Sequence, residues 1–122
     1  MKKANSQTDV DLKWMKLAYS LAKSAGQKNE VPVGAVIVGP QGLISKGSNI
    51  RETLQTTLGH AEVLVIHRAS QKLQNWRLED CTLYVTLEPC LMCAGAIQQA
   101  RLKRVVFGAL DPKAGAVSSL YN

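Results

Sequence analysis

The chain has 122 residues, 46% of them hydrophobic, and a formal charge of +6 from 15 Lys and Arg against 9 Asp and Glu. Its length suits one domain with its own core, and a charged fraction of 20% argues against disorder. The polar start MKKANSQTDVDLKW offers no apolar run that could act as a signal peptide, no run nears the ~20 apolar residues of a membrane helix, and an odd count of three cysteines argues against a disulfide framework.

A soluble, cytoplasmic chain is therefore expected. The positive charge points either to a polyanionic partner such as nucleic acid or simply to a basic surface. Along the chain, Thr8 with Asp11 three residues on resembles a capping box. Trp14, Met15, Ala18, Leu21, Ala22 and Ala25 then recur at helical spacing, with Gly26 as a natural stop. Val33 to Gly39 is a short β-branched run, and GPQG leads into LISKGSN, which predicts a hairpin. RETLQTTLG reads as a polar loop. His60 to Ser70 places Ala61, Leu64, Val65 and Ala69 on one side of a helix.

Cys81 to Leu87 predicts a strand. CLMCAGAIQQAR predicts a helix through Met92, Ala96, Ile97 and Ala100, and Arg104 to Ala109 a final strand. Strand, helix and strand in that order form a crossover, so the last two strands should be parallel neighbours. The fold class is α/β, with helices on both faces of one sheet.

Two motifs carry chemistry. Cys90 and Cys93 lie where a strand gives way to a helix, and a helix N-terminus favours the thiolate that binds metal. His60 and Glu62 open another helix. A C-x-x-C alone fits a redox pair as well as a metal site. Joined to His60 it makes an imidazole and two thiolates, a zinc set. A fourth protein ligand is hard to find. Cys81 is a strand's length from Cys90, and His67 is two turns, about 10 Å, beyond His60. Three ligands with one open position is the preferred reading, and Glu62 could then shuttle a proton beside the metal.

His60-Ala61-Glu62 followed by Pro89-Cys90-Leu91-Met92-Cys93 is similar to the H-x-E…P-C-x-x-C signature of zinc nucleobase deaminases. The stretches EVPVGAVIV, GHAE, NWRL, TLYVTLEPCLMCAGAI and RVVFGALDPKAGAVSSL narrow this. Together they resemble the bacterial tRNA-specific adenosine deaminases, the TadA family, from about Leu17 to the last residue.

The resemblance implies a three-layer, cytidine deaminase-like fold with a central mixed sheet. It implies one Zn2+ per chain on His60, Cys90 and Cys93, and Glu62 as the catalytic proton carrier. Asn49 would hydrogen-bond the purine. It further implies hydrolytic conversion of the wobble adenosine of a tRNA anticodon loop to inosine, by a homodimer. Arg51, Arg68, Lys72, Arg77, Arg101, Lys103, Arg104 and Lys113 are candidates for phosphate contact. Members usually continue through a fifth strand and a C-terminal helix, so residues 1–122 are expected to be one deaminase domain shortened at its C-terminus. The alternatives are a free-base guanine or cytosine deaminase, a zinc-bound module with weakened activity, and a thiol redox protein.

Overall fold

The computed structural model describes residues 2–108, with side chains from residue 7 onward. Four helices and four strands follow in chain order: α1 (Lys2–Gln27), β1 (Gly34–Gly39), β2 (Gly42–Ser48), α2 (Arg51–Leu54), α3 (Ala61–Leu73), β3 (Thr82–Val85), α4 (Leu91–Ala100) and β4 (Arg104–Phe107). The sheet order is β2-β1-β3-β4. β1 is antiparallel to both its neighbours, and β3 and β4 are parallel across the α4 crossover, as the sequence order requires. Among the described residues, β2 and β4 are the sheet edges.

Side-chain alternation along the strands divides the core in two. Ala35 and Ile37 of β1, with Leu83 and Val85 of β3, pack against Ala61, Val65 and Ala69 of α3 and Ile97 and Ala100 of α4. Val36 and Tyr84 turn to the other face and meet Met15 of α1, with Trp14, Leu17 and Leu21 beside it. The result is a three-layer α/β/α arrangement on a mixed sheet. Helix α1 comes unusually close to β1. A Cβ placed on Gly34 would lie 2.0 Å from the Ala18 carbonyl oxygen and 2.7 Å from the Ala22 nitrogen.

Three local expectations change. Thr8 is not an N-cap, because α1 already begins at Lys2. Asp11 instead reaches across the sheet face. Its carboxylate accepts from the Tyr84 hydroxyl at 2.6 Å and pairs with both Arg104 guanidinium nitrogens at 3.2 and 2.9 Å. Gly26 does not stop the helix. Asn29 does, at φ 63°, with Asn29 N–H donating to Gly26 and Glu30 N–H donating to Ala25, a Schellman closure. The polar stretch after β2 contains the one-turn helix α2. In addition α3 runs three residues beyond Ser70, and the buried face of α4 is Cys93, Ala94, Ile97 and Ala100, with Met92 and Ala96 half-buried. Ala109, the DPKAGA motif and Lys113 lie outside the described residues.

The hairpin closes through Pro40 and Gln41, with Gly42 at φ 119°. A bulge leaves Ile44 unpaired, since Ile37 faces Ser45 while Val38 faces Leu43. The Ser45 hydroxyl donates to the Val65 carbonyl at 2.7 Å and so ties β2 to α3.

Two stability outcomes follow. Gly34→Ala should destabilise the fold by about 3 kcal/mol or more, because backbone of α1 occupies the space, and denaturant unfolding reads this directly. The Arg104 guanidinium, helped by Tyr84, holds the Asp11 carboxyl down at about 2, below its ordinary value. A carboxylate whose folded pKa is lowered stabilises the fold above its unfolded value and loses that effect as pH falls toward 2. Asp11→Asn should therefore melt below the parent chain at pH 7, and the two melting temperatures should converge between pH 4 and 2.

Candidate active site

Two helix N-termini meet at one end of the sheet. His60 is the N-cap of α3 and Cys90 the N-cap of α4, both in extended backbone, and neither uses its side chain to cap. Cys93 lies in the first turn of α4. The side chains are thus free to point at a common centre. His60 Nδ1 lies 3.8 Å from Cys90 Sγ and 3.5 Å from Cys93 Sγ, and the three donor atoms all lie within 4.8 Å of one another. Among the described residues this is the sole cluster of three potential metal ligands.

Cys81 and His67 stay apart from it. Cys81 is a buried, free thiol in the core beside Leu83, and His67 is exposed on α3.

Glu62 sits in the first turn of α3, 4% exposed, with its carboxylate against Cys93. Burial pushes the Glu62 carboxyl above its ordinary value. Burial also pushes the Cys93 thiol up, and the neighbouring Glu62 and Cys90 add to this. His60 is held below its ordinary value by burial and by the Arg51 charge. The donor set is thus an imidazole and two cysteine sulfurs, and at Cys93 negative charge is unwelcome without a cation. A divalent ion removes that conflict, so these residues fit one.

A cavity of about 150 Å³ opens onto the cluster. It is lined by Val31, Val33, Asn49, Arg51, His60, Glu62, Leu87, Glu88 and Cys90. That is room for a single small ring system. Asn49 is 5% exposed, and its Oδ1 accepts from the Ala61 N–H at 2.9 Å, which fixes the start of α3. Its amide N–H group is what remains for a ligand.

Two supporting residues escaped the sequence reading as site residues. Gly59 allows the loop before His60 to lie on α2, since a Cβ there would be 2.6 Å from Arg51 Cα. Glu30, 6% exposed, binds the first turn of α2. Gly59 was signalled by its place directly before His60. Glu30 lies 30 residues from it and carried no local sign.

The basic candidates divide. Arg51 lines the cavity. Arg68 and Lys72 donate to β2 carbonyls, Arg104 is paired with Asp11, and Arg77 and Arg101 stack on exposed Trp76 at 4.6 and 5.6 Å. Trp76 follows the far end of α3, well away from the cluster.

Residues 10–121 match the family model of the MafB19-like deaminases. The tRNA-specific adenosine deaminase of Bacillus subtilis is 53% identical over 89% of this chain, which spans 68% of that protein's length. A solved tRNA:A34 deaminase, studied for A-to-I editing at the wobble position, superposes with a TM-score of 0.86 at 47% identity, over 88% of this chain and 78% of the other. The guanine deaminase of B. subtilis is less similar, with a TM-score of 0.78 and 39% identity over 80% of this chain and 63% of the other. A shared fold, a shared sequence over most of its length and a His-Cys-Cys cluster in the same chain make one conclusion: the protein belongs to the MafB19-like deaminases and, among them, to the tRNA-specific adenosine deaminase family.

Proposed function

We propose that this chain, a single deaminase domain over residues 1–122, hydrolyses adenosine to inosine at the wobble position of a tRNA anticodon loop, with one zinc ion per chain. The observation that carries the reading is the His60, Cys90 and Cys93 cluster with the buried Glu62 carboxylate beside it, at the floor of a cavity sized for one base. An imidazole and two thiolates suit zinc, and three protein ligands leave one coordination position free. Zinc held there supplies a Lewis acid that makes a nucleophilic water available at neutral pH.

The chain's own residues do the rest. Glu62 takes a proton from the attacking water and delivers it to N1 of adenine, then passes the second proton, from the new C6 hydroxyl, to the amino group, which departs as ammonia. Burial raises the Glu62 carboxyl above its ordinary value, which favours its keeping a proton between the two transfers. Asn49 offers its amide N–H to the purine while its oxygen stays on Ala61. Val31, Val33 and Leu87 wall the base from water. A base must leave its stack to enter so small a cavity, and a single-stranded loop permits that at modest cost. The net charge of +6 suits an RNA substrate.

No helix of the described residues is long and apolar enough to cross a membrane. We extend the reading to a cytoplasmic homodimer. A mostly apolar groove between α3 and α4, lined by Ile66, Ser70, Trp76, Ala96, Gln99 and Ala100, is in keeping with a second copy. Sedimentation at assay concentration should give twice the chain mass, and a monomer overturns that part.

The main test is an inosine assay on an anticodon stem-loop, run beside free guanine and cytosine. Inosine in the stem-loop is expected, and ammonia from a free base alone overturns the RNA assignment. Glu62→Ala should lower turnover by about 10²- to 10⁴-fold with zinc still at one per chain. Loss of zinc by chelation should lower the melting temperature, and Cys93→Ala should abolish that zinc dependence while Cys81→Ala keeps it. A reversible Cys90–Cys93 disulfide in metal-free protein would instead indicate thiol redox chemistry.

A further inference from the structure

The loop from Asn49 to His60 has candidate site residues at both ends. Ile50 N–H donates to the Gly59 carbonyl at 2.8 Å and closes it, and Asn49 Oδ1 holds Ala61 across the same stem. Its body is α2, one turn long, too short to hold its own shape in water. Something outside the loop must fix it.

That something is Glu30. Its carboxylate accepts from Glu52 N–H at 3.0 Å, Thr53 N–H at 2.6 Å and Thr53 Oγ1 at 2.5 Å. Glu30 is itself anchored, because its own N–H closes the end of α1 on Ala25. The next residues, Val31 and Val33, form one wall of the cavity, and Arg51 forms another. One buried carboxylate therefore joins two walls that are distant in sequence. Arg51, the first residue of α2, is the sole lysine or arginine among the described residues that line this cavity. A guanidinium at the mouth of a base-sized cavity is where a polynucleotide's phosphate or sugar oxygens must pass.

We propose that Glu30 is a positioning residue: by clasping the first turn of α2 it holds Arg51 at the cavity mouth, and so sets how tightly the RNA substrate is bound. This rests on the deaminase reading above. Glu30 touches no reacting atom, so its loss should act on substrate binding rather than on the chemical step.

The experiment is steady-state kinetics on the anticodon stem-loop, with zinc content and melting temperature measured alongside. Glu30→Gln and Thr53→Val should each raise KM by about tenfold with kcat within about threefold and zinc at one per chain. Thr53→Ser, which keeps the hydroxyl, should restore the parent KM. Arg51→Ala should raise KM similarly, and the Glu30→Gln/Arg51→Ala pair should be no worse than Arg51→Ala alone, because both act through one group.

An unchanged KM in Thr53→Val, additive effects in the pair, or a fall in kcat that tracks zinc loss overturns the proposal. Thr53→Val keeps the test open if Glu30→Gln does not fold. An inactive parent chain that retains zinc sinks the deaminase reading instead, so the two failures are distinguishable.

Discussion

The molecule depends on two helices that begin at the same point. The N-termini of α3 and α4 converge at the carboxyl end of β3, and each places an unused side chain there from its N-cap. Oriented backbone N–H groups at both ends favour negative charge on the cysteine sulfurs. Burial and the neighbouring Glu62 oppose that charge at Cys93. The two effects pull against each other, and a divalent cation resolves them in favour of the thiolates.

This convergence requires short approaches of backbone to backbone. The crossover from β3 to β4 packs α4 beside α3 on one face, and Ser45 ties α3 to β2. Gly59 lets the loop before His60 rest directly on α2, where any side chain would push the imidazole away. On the other face Gly34 does the same for α1, and the chain that follows α1 carries Glu30 to α2 and Val31 and Val33 to the cavity. The cavity walls are thus set by elements from both sides of the sheet. The Asp11, Tyr84 and Arg104 cluster locks the α1 side at the opposite end of the same interface, since it joins the start of β4 to the middle of α1.

The basic side chains illustrate how little net charge says about location. Arg68, Lys72 and Arg104 are held by carbonyls or a carboxylate of the chain itself, and Arg77 and Arg101 by the Trp76 ring. An excess of positive charge is a property of the whole surface, whereas contact with a phosphate depends on which few groups lie near the cavity.

Much was legible in the residues alone. Short β-branched and apolar runs bounded by turn residues identified the strands, and the crossover order dictated a parallel β3–β4 pair. His60, Glu62, Cys90 and Cys93 stood out because few residue types can hold a metal or carry a proton. The sequence missed what depends on partners far along the chain. Thr8 and Asp11 had the spacing of a cap, yet Asp11 serves Arg104, 93 residues away. Gly26 looked like a helix stop, while Asn29 took the left-handed position because Glu30 had to turn back over Ala25.

Local pattern thus determined the elements, their order and the reactive residue types, since those follow from short-range sterics and intrinsic chemistry. Only the tertiary structure decided that Asn49 secures α3, that Glu30 grips α2 and that Arg51 reaches the cavity. Those roles rest on hydrogen bonds and close approaches between segments whose distance in sequence leaves no periodic trace.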